Sequence, residues 1–423
     1  MTYIDPVTAA LRDLRDRLAS VDSGEIATYI PELTNADPSW FGIALCTTGG
    51  LYQAGDSQVP FTIQSVSKPF VYALALADQG AERVLSHVGV EPSGEAFNAI
   101  SLDPAGRPFN PMINAGAIVT AWLVNGDDPD EKFERIRSGL SAFAGRELRV
   151  DERVLASEMA TGDGNRALGY LMRSAGTLTC DVEDALSVYF RQCSLLVTAA
   201  DLAVMAGTLA MGGVDPVTSR VVIGPTIAQQ VLTVMATCGT YDFSGEWLLR
   251  SGMPAKSGVS GGLVAALPAQ FGLGVFSPPL DQHGNSTRAA AVCEELADRY
   301  GLHLMRRSVR ELPVFHRLVT GVTDEVLVCE LLSDMGFTGA ESVVRDVSAR
   351  LGAVHWLILD LGRVGQLETV AVALLSAFAR QLTELGIQAL VVDPRQRGLL
   401  GEQVCEFPSL TEAFTWTEPR EPR

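Results

Sequence analysis

Lysine is nearly missing from this chain. Its 423 residues contain 32 basic side chains, of which only Lys68, Lys132 and Lys256 are lysine, leaving 29 arginines. The two are not interchangeable, because arginine stays protonated at any attainable pH whereas a buried lysine can be driven neutral and used as a base. Other absences narrow the field further. The formal net charge of −18 argues against nucleic acid or an anionic membrane surface as a partner. The seven cysteines (46, 180, 193, 238, 293, 329 and 405) are dispersed, with no CxxC pair, which excludes a cysteine-rich metal site and fits a reducing cytoplasm. None of the five histidines lies in a motif with a serine, and no GxSxG, HExxH, Walker A or GxGxxG pattern occurs, so a Ser-His-Asp hydrolase and a nucleotide fold are not expected. The first 21 residues read as an amphipathic helix (Leu11, Leu14, Leu18), without the basic and apolar regions of an export signal. The longest uncharged stretch, 257–280, is rich in Gly and Pro and reads as buried β-structure rather than a membrane span.

A chain this long predicts two domains. Residues 41–55 read as a strand, a Gly-Gly turn and a strand, followed by a helix over 65–78. The stretch 80–245 reads as mostly helical, with loops at 101–116 and 161–165. Strands return at 256–266 and 270–276, and a helix at 286–300. The expected architecture is thus a sheet built from both ends of a domain with a helical lobe inserted between. The Arg-rich segment 305–313 reads as a boundary between a domain at 1–305 and another at 312–423. Beyond it the pattern is strand 325–331, helix 339–351, strand 354–361, helix 367–385, strand 387–392 and a short helix at 409–415, a small α/β domain without a lysine.

Two of the three lysines sit in short patterns that carry chemistry, Ser65-Val-Ser-Lys68 and Lys256-Ser-Gly258. A serine at a helix start and a lysine three residues on share a face, with Pro69 suiting the first turn. The positive potential of the helix N-terminus stabilises an alkoxide and disfavours an ammonium. Together these predict a hydrolase with Ser65 as nucleophile and Lys68 as base. An N-capping Ser65 with a solvated Lys68 is the alternative, and the second lysine motif weighs against it.

The segment Phe61-Thr-Ile-Gln-Ser-Val-Ser-Lys-Pro-Phe70 resembles the nucleophile motif of the serine-dependent glutaminases, which share the fold of the serine β-lactamases and penicillin-binding proteins. Further blocks resemble that family in order. They are Pro108-Phe-Asn-Pro-Met-Ile-Asn-Ala-Gly-Ala-Ile118, Ser157-Glu158 with Gly162-Asp-Gly-Asn-Arg166, Tyr189-Phe-Arg-Gln-Cys-Ser194, Tyr241-Asp-Phe-Ser-Gly245, Pro254-Ala-Lys-Ser-Gly-Val-Ser-Gly-Gly262, and Phe276-Ser-Pro-Pro-Leu280 with Gly284-Asn-Ser286. The resemblance implies hydrolysis of L-glutamine to L-glutamate and ammonia, without a cofactor, through a glutamyl ester on Ser65 with Lys68 as base. It implies catalytic help from Tyr241 and Lys256, and an oxyanion hole from the backbone amides of Ser65 and Val259. It also implies that Glu158 pairs with the substrate ammonium, and that Tyr52, Gln64, Asn114, Asn165 and Tyr189 bind its polar groups. Residue type alone reads several of these more blandly: Asn165 as a helix cap, Asn114 as a turn residue, Glu158 as a solvated charge, Tyr52 and Tyr189 as packing, and Lys256 as an electrostatic or structural anchor.

The second domain resembles the STAS fold through Gly339-Ala-Glu-Ser and Ile358-Leu-Asp-Leu. The serine that is phosphorylated in the anti-sigma antagonists corresponds to Val370, beside Thr369, so a phospho-switch by that route is not implied. The expected whole is a cytoplasmic glutaminase with an appended STAS-like regulatory domain of unassigned ligand or protein partner, assembled as a homo-oligomer (dimer or tetramer). Two other readings remain open on the sequence. One is a penicillin-recognising serine hydrolase; the other is a regulatory binding protein whose first domain is inactive.

Overall fold

Strands β1 (Gly42–Thr47) and β2 (Gly50–Gly55) form the expected hairpin across the Gly-Gly turn, pairing Ile43 with Ala54 and Leu45 with Tyr52. The computed structural model describes residues 6–94, 99–305, 316–320, 325–335, 337–352, 354–401 and 404–417. The chain divides into two compact units, Met1–Arg307 and Ser308–Arg423.

In the first unit a two-stranded ribbon, β3 (Phe61–Thr62) with β4 (Leu196–Val197), lies at the entrance to the helical part. Three strands close the unit: β5 (Ala255–Ser257), β6 (Gly262–Leu267) and β7 (Phe271–Phe276). The main sheet is antiparallel, in the order β2-β1-β7-β6-β5. Strands from both ends of the unit therefore share one sheet, with the helices running between them, as the sequence predicts.

Both sheet faces are covered. On β6, Val264 and Ala266 face the helical lobe, while Leu263, Ala265 and Leu267 face the opposite layer. That is the period-2 alternation of a strand buried on two sides. The opposite layer consists of helices Pro6–Leu18 and Thr287–Tyr300, which bring Leu11, Leu14, Val292 and Leu296 onto the sheet. The lobe side carries helix Ala199–Ala210, started by a capping box between Thr198 and Asp201. This helix crosses β7 so closely that a Cβ at position 272 would lie 1.9 Å from the Gly207 amide nitrogen, which makes Gly272 a requirement of the packing. The uncharged stretch 257–280 is thus mostly buried β-structure, interrupted by an exposed turn at Ala269 and Gln270.

The second unit adds strands β8 (His316–Thr320), β9 (Val326–Leu331), β10 (Trp356–Asp360), β11 (Gln388–Val392) and β12 (Cys405–Phe407). Their order is β12-β11-β10-β9-β8, parallel from β9 to β12 with β8 antiparallel at the edge. Helices Phe337–Ser348 and Thr369–Glu384 cover one face through Ala340, Val343, Leu375 and Phe378. Helix Leu410–Thr417 covers the other face, with Ala413 against Val328 and Ile358.

Three local expectations change. The helix expected over 65–78 begins as a 3-10 turn, Gln64–Ser67, before the α-helix Lys68–Gln79. The loop expected at 161–165 shrinks to Gly162 between helices Glu152–Thr161 and Asp163–Ser174. Edge strands β8 and β12 were not expected, being short and without alternation. The boundary segment 305–313 lies outside the described residues from 306 on, as do the side chains of Thr369 and Val370.

Candidate active site

The turn after β3 is unusual in its backbone. Gln64 adopts φ +48°, in the left-handed region that a residue with a Cβ seldom enters. Ser65 follows with 7% of its surface exposed, and the 3-10 turn then passes directly into helix Lys68–Gln79. Lys68 is fully buried and donates from Nζ to Asn114 Oδ1 at 2.7 Å. Burial lowers its pKa from 10.5 to about 8, because desolvation penalises the ammonium form.

Lys256, on β5, is equally buried. Its Nζ donates to the Ser257 carbonyl at 2.6 Å and lies 4.1 Å from the centre of the Tyr241 ring. Desolvation, and then the neighbouring Lys68 charge, hold this amine well below its ordinary pKa. Tyr241 donates from Oη to the Ser257 carbonyl at 3.0 Å and shares a hydrogen bond with Ser65. Burial pushes its hydroxyl pKa up, opposed by the bond to Ser65. Tyr241 also has a left-handed backbone, φ +65°. Strained residues on both sides of one hydroxyl are the kind of clustering that accompanies functional sites.

The Lys-Ser-Gly pattern has a steric basis. A Cβ on Gly258 would sit 2.9 Å from Val66 Cγ2 and 3.4 Å from the Ile63 carbonyl, so only glycine lets β5 approach the Ser65 turn this closely. The turn after it closes with Gly261 N–H donating to the Gly258 carbonyl at 3.0 Å. This leaves Val259 on the wall of a cavity of about 530 Å3 that Ser65 also lines.

The same cavity is lined by Glu158, 4% exposed. Gln64 Nε2 donates to its Oε1 at 3.0 Å, and the Tyr29 hydroxyl lies 2.5 Å from the same oxygen and 3.0 Å from Gln64 Oε1. Burial raises the Glu158 pKa, while the bonds from Tyr29 and Gln64 work against that rise. Tyr29 is half exposed as a residue, yet its hydroxyl points inward, where burial and Glu158 hold its proton firmly. Asn114 bridges the two ends. Its Oδ1 receives Lys68 and the Tyr189 hydroxyl (3.3 Å), and its Nδ2 donates to Asn165 Oδ1 at 2.9 Å.

The structure therefore gathers Gln64, Ser65, Asn114, Glu158, Asn165, Tyr189 and Val259 on one cavity, with Lys68, Tyr241 and Lys256 clustered about Ser65 by the contacts above. Tyr52 is the exception and corrects the expectation. It lies on the edge strand β2, where strand parity sends Leu51 toward helix Ala199–Ala210 and Tyr52 toward helix Pro6–Leu18, into the cluster of Leu11, Leu14 and Trp247. Tyr29 supplies the tyrosine hydroxyl on the cavity instead. The sequence offered one cue to it, an aromatic residue just ahead of Ile30-Pro31, where the 3-10 helix Pro31–Asn35 begins.

The family model described as Glutaminase matches residues 24–305. A relative named Glutaminase 2, from Bradyrhizobium diazoefficiens, is 48% identical over 90% of this chain; the match spans 64% of that protein's length. The Glutaminase of Corynebacterium glutamicum is 40% identical over 92% of this chain and 94% of its own length. That of Microcystis aeruginosa is 49% identical over 301 residues, 71% of this chain and 89% of its own. Among solved structures, Mglu in its glutamate form superposes with a TM-score of 0.85 at 37% identity, over 93% of this chain and all of that one. A probable glutaminase, ybaS, superposes at 0.69 with 37% identity over 72% of this chain and all of its own. These likenesses agree with the expected β-lactamase-like arrangement of sheet and inserted helices. On the extent of the match and on relatives that it covers almost end to end, this chain belongs to the glutaminase family.

Proposed function

We propose that the first unit hydrolyses L-glutamine to L-glutamate and ammonia by way of a Ser65 ester. One observation carries this reading: a serine hydroxyl bonded to Tyr241, in a cluster with two fully buried lysines, on the wall of a cavity that a buried carboxylate also lines. Glu158 pairs with the α-ammonium of the substrate, which restores the charge that burial disfavours. Tyr29, Gln64, Asn114, Asn165 and Tyr189 surround the amino-acid end, and this places the side-chain amide at Ser65.

Lys68, neutral near pH 8, takes the proton as Ser65 Oγ attacks the amide carbon. The oxyanion that forms is held by the Ser65 and Val259 amides, donors worth on the order of 100- to 1000-fold each in such sites. Collapse breaks the C–N bond. The nitrogen leaves as ammonia with a proton relayed through Tyr241, and the acyl group stays on Ser65. Water, giving a proton to the same relay, then cleaves the ester to release glutamate and restore the hydroxyl. Lys256, under the Tyr241 ring, shares the Ser257 carbonyl with the Tyr241 hydroxyl and so helps to hold that hydroxyl beside Ser65.

The second unit is proposed to be a STAS-like regulatory or assembly domain. Its parallel strands, each followed by a covering helix or turn, support that reading. A cytoplasmic homo-oligomer, dimer or tetramer, completes the proposal; seven free thiols suit a reducing compartment. Among the described residues no helix is long and apolar enough to cross a membrane.

The test is ammonia release by purified protein from L-glutamine, with L-asparagine and D-glutamine as controls. L-asparagine is one methylene short of bridging Glu158 and Ser65, and D-glutamine presents its ammonium to the wrong wall. No release from L-glutamine, or equal release from all three, overturns the reading.

A further inference from the structure

The Ser65 turn is held from beneath by two side chains that the proposed chemistry does not use. Ser67 and Gln192 are both fully buried. Ser67 Oγ donates to the Gln64 carbonyl at 2.6 Å, and Gln192 Nε2 donates to Ser67 Oγ at 2.8 Å. Both hydrogen-bonding capacities of the Ser67 hydroxyl are thereby engaged in one direction, from helix Val182–Cys193 to the backbone of Gln64.

That backbone is the one at φ +48°. A residue with a Cβ rests in the left-handed region only where its surroundings fix it there. The conformation has a visible consequence, since from it the Gln64 side chain reaches both Glu158 Oε1 and the Tyr29 hydroxyl. The Gln64 carbonyl and the Ser65 N–H belong to one planar peptide unit, so the bond from Ser67 steadies the backbone from which the Gln64 side chain leaves and sets the direction of the Ser65 amide. Gln192 carries a second sign of purpose. Its Oε1 is buried with no partner among the described residues, an arrangement that is unfavourable by itself. A methionine would fill the same space without that penalty, so what the amide contributes is its N–H to Ser67.

We infer that Ser67 and Gln192 are positioning residues that act through the Gln64–Ser65 peptide, fixing its direction and with it both the Gln64 donor to Glu158 and the Ser65 amide of the oxyanion hole. The inference rests on the glutaminase reading above. It gives one short turn two kinds of residue: Ser65 and Lys68 serve the bond that breaks directly, while Ser67 and Gln192 act on the substrate only through the backbone they hold.

The experiment uses the full chain with Ser67→Ala, Gln192→Met, Gln64→Ala and the Ser67→Ala/Gln64→Ala pair, each with L-glutamine across pH 6–10. Displacing a binding group by a fraction of an ångström to an ångström costs up to about 100-fold. Ser67→Ala is therefore expected to lower kcat/KM on the order of 10-fold or more, through kcat as well as KM, with the acid limb of the pH profile unmoved. In the Gln64→Ala background the KM part of the loss should vanish, because the side-chain donor is already gone, while the kcat part remains, because the backbone carbonyl is still there. Gln192→Met should reproduce both effects more weakly, and it carries the test by itself if Ser67→Ala fails to fold. Unchanged kcat/KM in Ser67→Ala, a shifted pH limb, or a KM loss that multiplies in the Gln64→Ala background would overturn the inference while leaving the glutaminase reading standing. Absence of wild-type turnover would instead remove the reading on which it rests.

Discussion

At the scale of single residues the site depends on amines placed where water cannot reach them. Moving Lys68 from 10.5 to about 8 corresponds to about 3 kcal/mol of disfavoured ammonium. Its folded-state pKa lies below the unfolded one, so the unfolded chain binds the extra proton first as pH falls. Stability is thus lost as pH drops from about 10.5 to 8 and is level below that. Activity runs the same way: kcat/KM should rise with pH through an apparent pKa of about 8 as Lys68 becomes neutral, and a profile flat from pH 6 to 10 would exclude Lys68 as the base. Lys68→Met should raise Tm at pH 7 while abolishing turnover, a separation read by calorimetry beside the ammonia assay. Ser65→Ala should abolish turnover without loss of folding. Lys68→Arg should be nearly as damaging, because guanidinium keeps the charge but cannot take a proton, and substantial turnover by that variant would refute proton transfer to Lys68. At the other end, Glu158→Gln should cost about 3 kcal/mol, roughly 100-fold in kcat/KM, since it leaves the substrate ammonium without a counter-charge. Tyr29→Phe should cost less, about 2 kcal/mol, for one hydrogen bond to a charged group. Near-normal kinetics in both variants would move the ammonium site elsewhere.

At the scale of elements, the site depends on how closely β5 meets the 3-10 turn. The contact is glycine-limited at Gly258, where a methyl would meet Val66 Cγ2 at 2.9 Å. Val66 is itself fully buried and has a stiff, branched side chain, so relief must come from a shift of the strand or the turn. Gly258→Ala should therefore cut kcat on the order of 10- to 100-fold while Tm falls by a few degrees at most. A variant with full kcat would mean that the Ser65–Lys256 spacing tolerates such a shift. The same scale shows why the secondary structure was largely legible. The hairpin at 41–55 announces itself by its Gly-Gly turn, and helix Thr287–Tyr300 by Ser286, whose side chain caps it. The edge strands β8 and β12 carried no such signal, since an edge of three to five residues is selected by an exposed row of partner amides and carbonyls rather than by its own composition.

At the scale of the whole chain, the two units are separable in principle. The Microcystis aeruginosa relative spans 71% of this chain within 89% of its own length, a match about as long as the first unit. A chain ended near Arg306 should therefore fold and retain turnover of L-glutamine, while residues from about 312 onward should fold alone, their sheet being covered on both faces. The comparison is ammonia release and light-scattering mass for full-length and shortened protein. An insoluble or inactive first unit would show that the two halves fold as one cooperative structure. A change of mass with activity intact would assign assembly to the second unit.

The sequence by itself determined the chemistry on offer. Scarce lysines in SxxK and KSG patterns named Ser65, Lys68 and Lys256, and a helical stretch between two groups of strands gave the architecture, because such patterns are local and each residue type has few uses in them. Only the tertiary structure decided which tyrosine reaches the cavity. Strand parity commits Tyr52 to the layer beneath helix Pro6–Leu18, whereas Tyr29 reaches Glu158 from 129 residues away in sequence. The tertiary structure also decided the depth at which the two amines lie, and burial is a property of everything packed around a side chain. For that reason the lowered pKa of Lys68 and the strained backbones of Gln64 and Tyr241 belong to the fold, and no reading of the motif alone contains them.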